Sequence, residues 1–202
     1  MQQTAHHAPL NTEGFAHPKK NVGALGIQSG MRVADFGAGS GAYVLAIAER
    51  LGGSGAVYAI DVQRDLLRRI HNEAVRRGYK NVEVIWADLE VPRASKLADS
   101  SIDLVLISNL LFQVPDKLPV LREARRIIKS TGTVAIVDWS NPEENASRSN
   151  EAGSFGPRKE DVVSREMALD LARRSSLELI REFPAGAHHY GLVLGPVPYA
   201  AI

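Results

Sequence analysis

Three acids, each closing or just following a short apolar run, are the residues best placed to do chemistry. The first lies in VADFGAGSGAY, Val33 to Tyr43, where Asp35 near the end of an apolar run precedes glycines at Gly37, Gly39 and Gly41. Such a run is expected to be a strand feeding a tight turn that opens a helix. Glycines suit that turn because it demands unusual backbone angles and lets a ligand approach the main chain more closely than a Cβ would permit. The pattern points to a nucleotide-like cofactor. The spacing Gly37, Gly39, Ala42 also satisfies the loose dinucleotide fingerprint with alanine in third place, so the loop alone does not choose the ligand. Asp35 does: a carboxylate there repels a pyrophosphate and attracts an ammonium or sulfonium.

The second and third acids fall where further strands should end. AVYAID, Ala56 to Asp61, finishes in Asp61, and VEVIWADL, Val82 to Leu89, puts Asp88 just past its apolar part. In an open α/β sheet ligands bind outside the carboxyl ends of the strands, so Asp35, Asp61 and Asp88 are expected to converge on one crevice. A carboxylate ending the second strand can accept from two ribose hydroxyls, and Asp88 from an adenine amino group. Each acid alone could equally be a helix cap, a turn residue or a surface carboxylate. Their joint placement after successive strands favours the cofactor account.

Together with SIDLVLISNLLFQV and the segment LREARRIIKSTGTVAIVDW, Leu121 to Trp139, these motifs resemble those of class I S-adenosylmethionine-dependent methyltransferases, in the style of the small stand-alone quinone-biosynthesis branch. The likeness runs from about Gly23 to the C-terminus. It implies a Rossmann-like, doubly wound α/β fold with a mostly parallel seven-stranded sheet and an antiparallel last strand. It also implies S-adenosyl-L-methionine as cofactor, S-adenosyl-L-homocysteine as product, and methyl transfer as the reaction class. Carried onto this chain, the cofactor-binding set is Asp35, Phe36, Gly37, Ala38, Gly39, Gly41, Asp61, Val62, Ala87, Asp88, Leu89, Ser108, Asn109 and Gln113.

Composition fits one ordinary globular core: 202 residues, 45% hydrophobic and 23% charged. A balance of 24 basic against 23 acidic residues gives +1, without the strongly basic footprint of a protein that grips duplex nucleic acid. No apolar run approaches membrane-spanning length and the N-terminus has no export-signal pattern, so a cytoplasmic location without a membrane span is expected. Cysteine is absent, which excludes disulfides, thiolate metal sites and cysteine nucleophiles.

Along the chain, residues 1–22 lack periodicity and are expected to form a flexible N-terminal arm before a methyltransferase domain at 23–202. Helices are expected from Gly41 to Leu51, from Asp65 to Arg77 with Leu66, Ile70 and Ala74 inward, and from Lys117 to Lys129. Ile102 to Ser108 is apolar enough for a central strand buried on both faces, and Thr133 to Val137 returns to the sheet. Residues 142–159 read as a loop on the substrate side. Ser164 can cap a helix to about Ser176, followed by two strands, LELIREF and HYGLVLG, joined by PAGAH.

A sulfonium's methyl group needs little activation, so positioning is the main catalytic task. An acceptor that loses its proton would call for a base, and His188, His189 and Tyr190 are the candidates, with core packing as the competing reading for the histidines. His6, His7 and His17 lack a carboxylate partner, and no metal site is expected. Asn109 is followed by Leu-Leu-Phe instead of the Pro-Pro-aromatic of amino-group methyltransferases, which makes it a cofactor or pocket-wall residue. Phe112, Gln113 and Phe155 are candidates to line the acceptor site. A small-molecule acceptor leads. An RNA or protein methyltransferase using the arginines of the second helix, a non-enzymatic cofactor-binding protein and a nicotinamide oxidoreductase are the alternatives. Oligomeric state and acceptor atom stay open.

Overall fold

The computed structural model describes residues 16–140 and 156–197. Seven strands form one sheet: β1 (Arg32–Phe36), β2 (Ala56–Asp61), β3 (Val82–Trp86), β4 (Ile102–Ser108), β5 (Ile128–Trp139), β6 (Leu177–Gly186) and β7 (His189–Pro196). Their spatial order is β3-β2-β1-β4-β5-β7-β6, with every pair from β3 to β5 parallel and β7 antiparallel to both its neighbours. The expected doubly wound fold with an antiparallel last strand is therefore observed, and strand order reverses between β1 and β4.

Five α-helices cover the two faces: α1 (Pro18–Ala24), α2 (Ala42–Leu51), α3 (Arg64–Arg76), α4 (Lys117–Ile127) and α5 (Arg165–Arg174). Alternation of side chains along each strand divides the core in two. Val33, Val57, Leu104, Leu106, Ala135, Val137 and Val193 pack under α1, α2 and α3. Ala34, Phe36, Val105, Ile107, Ile136, Tyr190 and Leu192 pack under α4 and α5. The central strands are buried on both sides, which is why their sequences are nearly continuously apolar.

Several expectations need correcting. The arm assigned to residues 1–22 is helical from Pro18, where α1 docks through buried Asn21, whose Nδ2 donates to Tyr43 Oη at 2.8 Å and to the Ala185 carbonyl at 3.0 Å. Residues 1–15 lie outside the described part. In α3 the inward residues are Leu67, Ile70 and Ala74, so the apolar stripe is one residue later than Leu66 suggests. No turn separates α4 from β5. Ile128 is already extended and pairs with Ile102, and the Ser-Thr-Gly that reads as a turn is taken up as an irregularity before Thr133 pairs with Leu104. The hairpin between β6 and β7 is shorter than PAGAH, because Pro184 to Gly186 stay in the ladder. Ser164 caps α5 as expected, its side chain accepting from the Met167 N–H at 3.2 Å. The loop expected at 142–159 falls largely outside the described residues, as does Phe155.

Candidate functional site

The carboxyl ends of β1, β4 and β5 and the start of antiparallel β7 meet along one edge of the sheet. Asp35, Ser108, Trp139 and His189 share the strand parity of Val33, Leu106, Val137 and Val193, so all four project to the α1–α3 face. They line a crevice of about 300 Å³ together with Ala16, Pro18, Gly37, Ala38, Gly39, Ser40, Ala42, Tyr43, Asn109 and Gln113.

The glycine loop is held in shape by the chain's own hydrogen bonds. Gly37 and Ala38 donate to the Ile60 carbonyl at 2.9 and 3.0 Å, and Gly41 donates to the Ala38 carbonyl at 2.8 Å. Gly41, at φ +80°, is the residue before α2, and a Cβ there would meet Ile70 Cγ1 at 2.5 Å, so only glycine lets α2 and α3 close on each other. Gly39, at φ +51°, is different: the nearest atom to its missing Cβ is 3.8 Å away, so its bareness leaves room on the crevice side. No side chain caps α2, and its first N–H groups open toward the crevice beside Ala42 and Tyr43.

Asp35 is 2% exposed, and burial, reinforced by the nearby Asp61 charge, pushes its carboxyl up to about 8. An acid in that state gains most from a cation placed beside it. Ser108 Oγ, also buried, lies beside the Tyr43 hydroxyl. Asp61 is engaged on both oxygens: Oδ2 accepts from the Gly39 N–H at 2.9 Å and Oδ1 from the Gln63 N–H at 2.8 Å. Each oxygen keeps a second lone pair. Asp88 is exposed and accepts from the Glu90 N–H at 3.0 Å. Ala87 is tied to the Asp61 carbonyl at 3.1 Å.

Of the fourteen cofactor residues read from the sequence, Asp35, Gly37, Ala38, Gly39, Ser108, Asn109 and Gln113 line this crevice. Gly41, just before α2, and Asp61, Val62, Ala87, Asp88 and Leu89, along the ends of β2 and β3, lie outside its walls. Phe36 is fully buried on the opposite face with Ile60 and Ile107, so only its backbone belongs to the loop. Ser40, Tyr43, Trp139, Ala16 and Pro18 had no sequence signal beyond proximity to the motif or a strand end.

The three base candidates separate. Tyr190 projects to the α4–α5 face, where its hydroxyl donates to the Val163 carbonyl at 3.0 Å and burial pushes the phenol pKa well above its usual range. His188 sits in the β6–β7 turn, its carbonyl accepting from the Ser140 N–H at 2.9 Å. His189 alone reaches the crevice. It is 5% exposed, its ring stacks at a tilt on Trp139 with centroids 4.4 Å apart, and its Nε2 lies 3.1 Å from Asn109 Oδ1. Burial pulls it down to about 4, so the ring is neutral at physiological pH.

Asn109 has a left-handed φ of +51° and is pinned by its backbone: its N–H donates to the Val137 carbonyl at 2.9 Å and its carbonyl accepts from Gln113 Nε2 at 2.5 Å. Buried Asp138, which the sequence reading left without a role, steadies the next residues by accepting from the Leu111 and Trp139 N–H groups at 3.2 and 2.8 Å. Phe112 does not line the crevice. It borders a second cavity of about 340 Å³ with Val163 and Met167, and Gln113 borders both.

Among the described residues no cluster of histidines and carboxylates could hold a metal ion, and no helix is long and apolar enough to cross a membrane. His6 and His7 lie outside the described residues.

A family profile described as "Methyltransferase domain" matches residues 27–169. The chain is 31% identical over 125 residues to demethylmenaquinone methyltransferase of Bacillus velezensis, covering 61% of this chain and 52% of that protein. It thus spans about half the length of the curated relatives it matches. Among solved structures, a SAM dependent methyltransferase from Aquifex aeolicus is 26% identical with a TM-score of 0.76, covering 93% of each chain. The arsenic (III) S-adenosylmethionine methyltransferase of Chlamydomonas reinhardtii, 24% identical with a TM-score of 0.64 over 86% of this chain and 66% of that one, shares the fold.

Proposed function

We infer what this chain does from the premise that it belongs to the methyltransferase-domain family: it is an S-adenosylmethionine-dependent methyltransferase. The acceptor we propose is a small, amphipathic molecule. One observation carries this reading: the glycine loop and Asp35 on one side, and Trp139, His189 and Asn109 on the other, face each other across a single crevice of about 300 Å³. Such a cleft suits a flat, partly apolar group set against an indole and an imidazole.

The residues present fit the cofactor. Asp35 is a buried acid suited to a cation, and Gly39 leaves the space a Cβ would fill. In the proposed assignment, Asp35 faces the positive charge of the methionine portion and the open N-terminus of α2 receives its carboxylate. Asp61 uses its remaining lone pairs for ribose hydroxyls, and Asp88, with the backbone around Val62, Ala87 and Leu89, borders the adenine. S-Adenosylmethionine supplies a methyl group on a sulfonium that departs as a neutral thioether. The chain's own task is to orient: Trp139 and His189 form the wall that presses the acceptor toward the loop, and Asn109 and Gln113 fix its polar edge.

The relative named for demethylmenaquinone supports an acceptor with a flat ring. An RNA or protein acceptor is disfavoured by what happens to the arginines of α3. Arg68 pairs with Asp65, and Arg76 and Arg77 both pair with Glu73, so three of the five arginines between Arg64 and Arg77 are matched by carboxylates of the same helix.

Calorimetric titration with S-adenosylmethionine, S-adenosylhomocysteine and, as control, NADH tests the cofactor assignment. Binding of both sulfur compounds and not NADH is expected. Transfer of a labelled methyl group to phenols and quinols, and not to RNA or protein, tests the acceptor class, and the reverse preference would overturn it.

A further inference from the structure

We propose that His189 is a positioning residue that turns the Asn109 amide so that its NH2 faces the crevice, making the site selective for an acceptor that offers a hydrogen-bond-accepting oxygen. The inference rests on the small-molecule methyltransferase reading and specifies which atom of the acceptor the site grips.

The argument is a count of donors and acceptors. Asn109 has four polar groups, and three are committed: its N–H to Val137, its carbonyl to Gln113 Nε2, and its Oδ1 to His189 Nε2 at 3.1 Å. Nδ2 is the fourth. It makes no hydrogen bond to the described residues and is not fully buried, so on a half-buried residue lining the crevice it is open to that space.

An asparagine amide could be turned the other way, with Nδ2 donating to His189 and Oδ1 facing the crevice. Burial decides between them. The imidazole is neutral and carries one N–H, and its Nδ1 is buried with no partner. If Nδ2 donated to Nε2, the ring's proton would sit on Nδ1 as an orphaned buried donor. With the proton on Nε2, the ring donates to Oδ1 and only a lone pair is left unpaired at Nδ1. Orphaned buried N–H groups are rarer than under-satisfied acceptors. The Nε2–H tautomer therefore holds the amide oxygen, and two N–H donors face the crevice from Nδ2.

The tilted stack on Trp139 fixes the imidazole plane, and the β5–β7 pairing of Trp139 with His189 fixes the stack. Gln113 Nε2, already donating to the Asn109 carbonyl, stiffens the same corner. A hydroxyl, enolate or carbonyl oxygen satisfies the amide donors, whereas an aryl amine or a bare hydrocarbon leaves them unpaired.

The test uses the full chain saturated with S-adenosylhomocysteine, with p-cresol, p-toluidine and p-xylene as probes of one shape, titrated by ligand-observed NMR. Tautomer and charge of His189 are read by 15N NMR on histidine-labelled protein. The expected result is a neutral Nε2-protonated ring at pH 7 and at least tenfold tighter binding of p-cresol than of the other two. Asn109→Leu removes the preference, read with S-adenosylhomocysteine held at saturation for that variant. His189→Gln, whose amide can still donate to Asn109 Oδ1, keeps the preference, and His189→Phe loses it. An Nδ1-protonated or cationic ring, equal binding of the three probes, binding of none, or a preference that survives Asn109→Leu would each overturn the proposal. If His189→Phe does not fold, the tautomer and the Gln and Leu variants still decide. Failure to bind S-adenosylhomocysteine at all would instead remove the methyltransferase reading, and the ring's tautomer would still report on the Asn109 contact.

Discussion

The two walls of the crevice are built by opposite strategies. The loop wall, Asp35 to Tyr43, is one contiguous stretch whose glycine turn is braced by the chain's own hydrogen bonds, down to the Asp61 carboxylate that accepts from Gly39. The facing wall is assembled from Asn109, Trp139 and His189, brought together by β4–β5–β7 pairing across as many as 80 residues of sequence. A loop held by its own hydrogen bonds suits a ligand that is always the same, and a wall of dispersed residues can change one at a time. In the proposed assignment the first half of the site serves the cofactor and the second the acceptor.

Removing the charge from the loop wall should have the largest effect. Asp35→Asn is expected to weaken S-adenosylmethionine binding by about 100-fold or more, about 3 kcal/mol, measured by calorimetry. The same change should stabilise the empty protein. Burial and Asp61 raise the Asp35 carboxyl from 3.8 to about 8, so between those values the folded chain holds a proton that the unfolded chain has lost, and stability falls as pH rises through the window. Asp35→Asn should flatten that slope and raise the midpoint of thermal unfolding at pH 8. A variant that binds normally would break the proposed division of labour between the walls. Because the empty protein holds Asp35 protonated at pH 7, cofactor binding that ionises it should release protons there, seen as a dependence of the calorimetric heat on buffer ionisation.

Within the loop, shape and access come apart. Gly41→Ala should destabilise the fold by about 2–3 kcal/mol through a strained backbone and a collision with Ile70. Gly39→Ala, with open space around it, should cost about 1 kcal/mol in denaturant unfolding yet weaken cofactor binding more than Gly41→Ala does. The reverse order of affinities would place the cofactor elsewhere.

On the facing wall, neighbours in sequence should behave unlike one another. Tyr190→Phe, which loses only the bond to Val163 on the far side of the sheet, should cost about 1 kcal/mol and leave cofactor affinity and pH dependence unchanged. Smallest of all, Trp139→Phe should alter cofactor affinity less than about twofold while changing acceptor binding. Trp86 is the only other tryptophan, so Trp86→Phe isolates the Trp139 fluorescence as a report on acceptor entry.

The loop wall was legible in the sequence because its signals are local. An apolar run, an acid and glycines at fixed offsets specify a strand, a turn and a helix within eleven residues, and AVYAID and IDLVLIS mark β2 and β4 residue for residue. Apolar periodicity was less exact where two registers were both plausible, as with Leu66 against Leu67 in α3. A turn-like tripeptide misled at Ser130 to Gly132 because the ladder from β4 absorbed it. The α1 helix was invisible, since its docking depends on Asn21 reaching Tyr43 and Ala185 and on Val22 and Leu25 entering the core beside α2.

The sequence by itself determined the fold and the glycine loop with its acid, because the backbone geometry of such a turn is set by neighbours in the chain. Only the tertiary structure decided which of three adjacent residues faces the site. Strand parity sends His189 to the crevice and Tyr190 away from it, and the turn keeps His188 at its edge. It alone also brought Asn109 and Trp139 to the same imidazole, since hydrogen-bond complementarity between residues far apart in sequence exists only once the strands are paired.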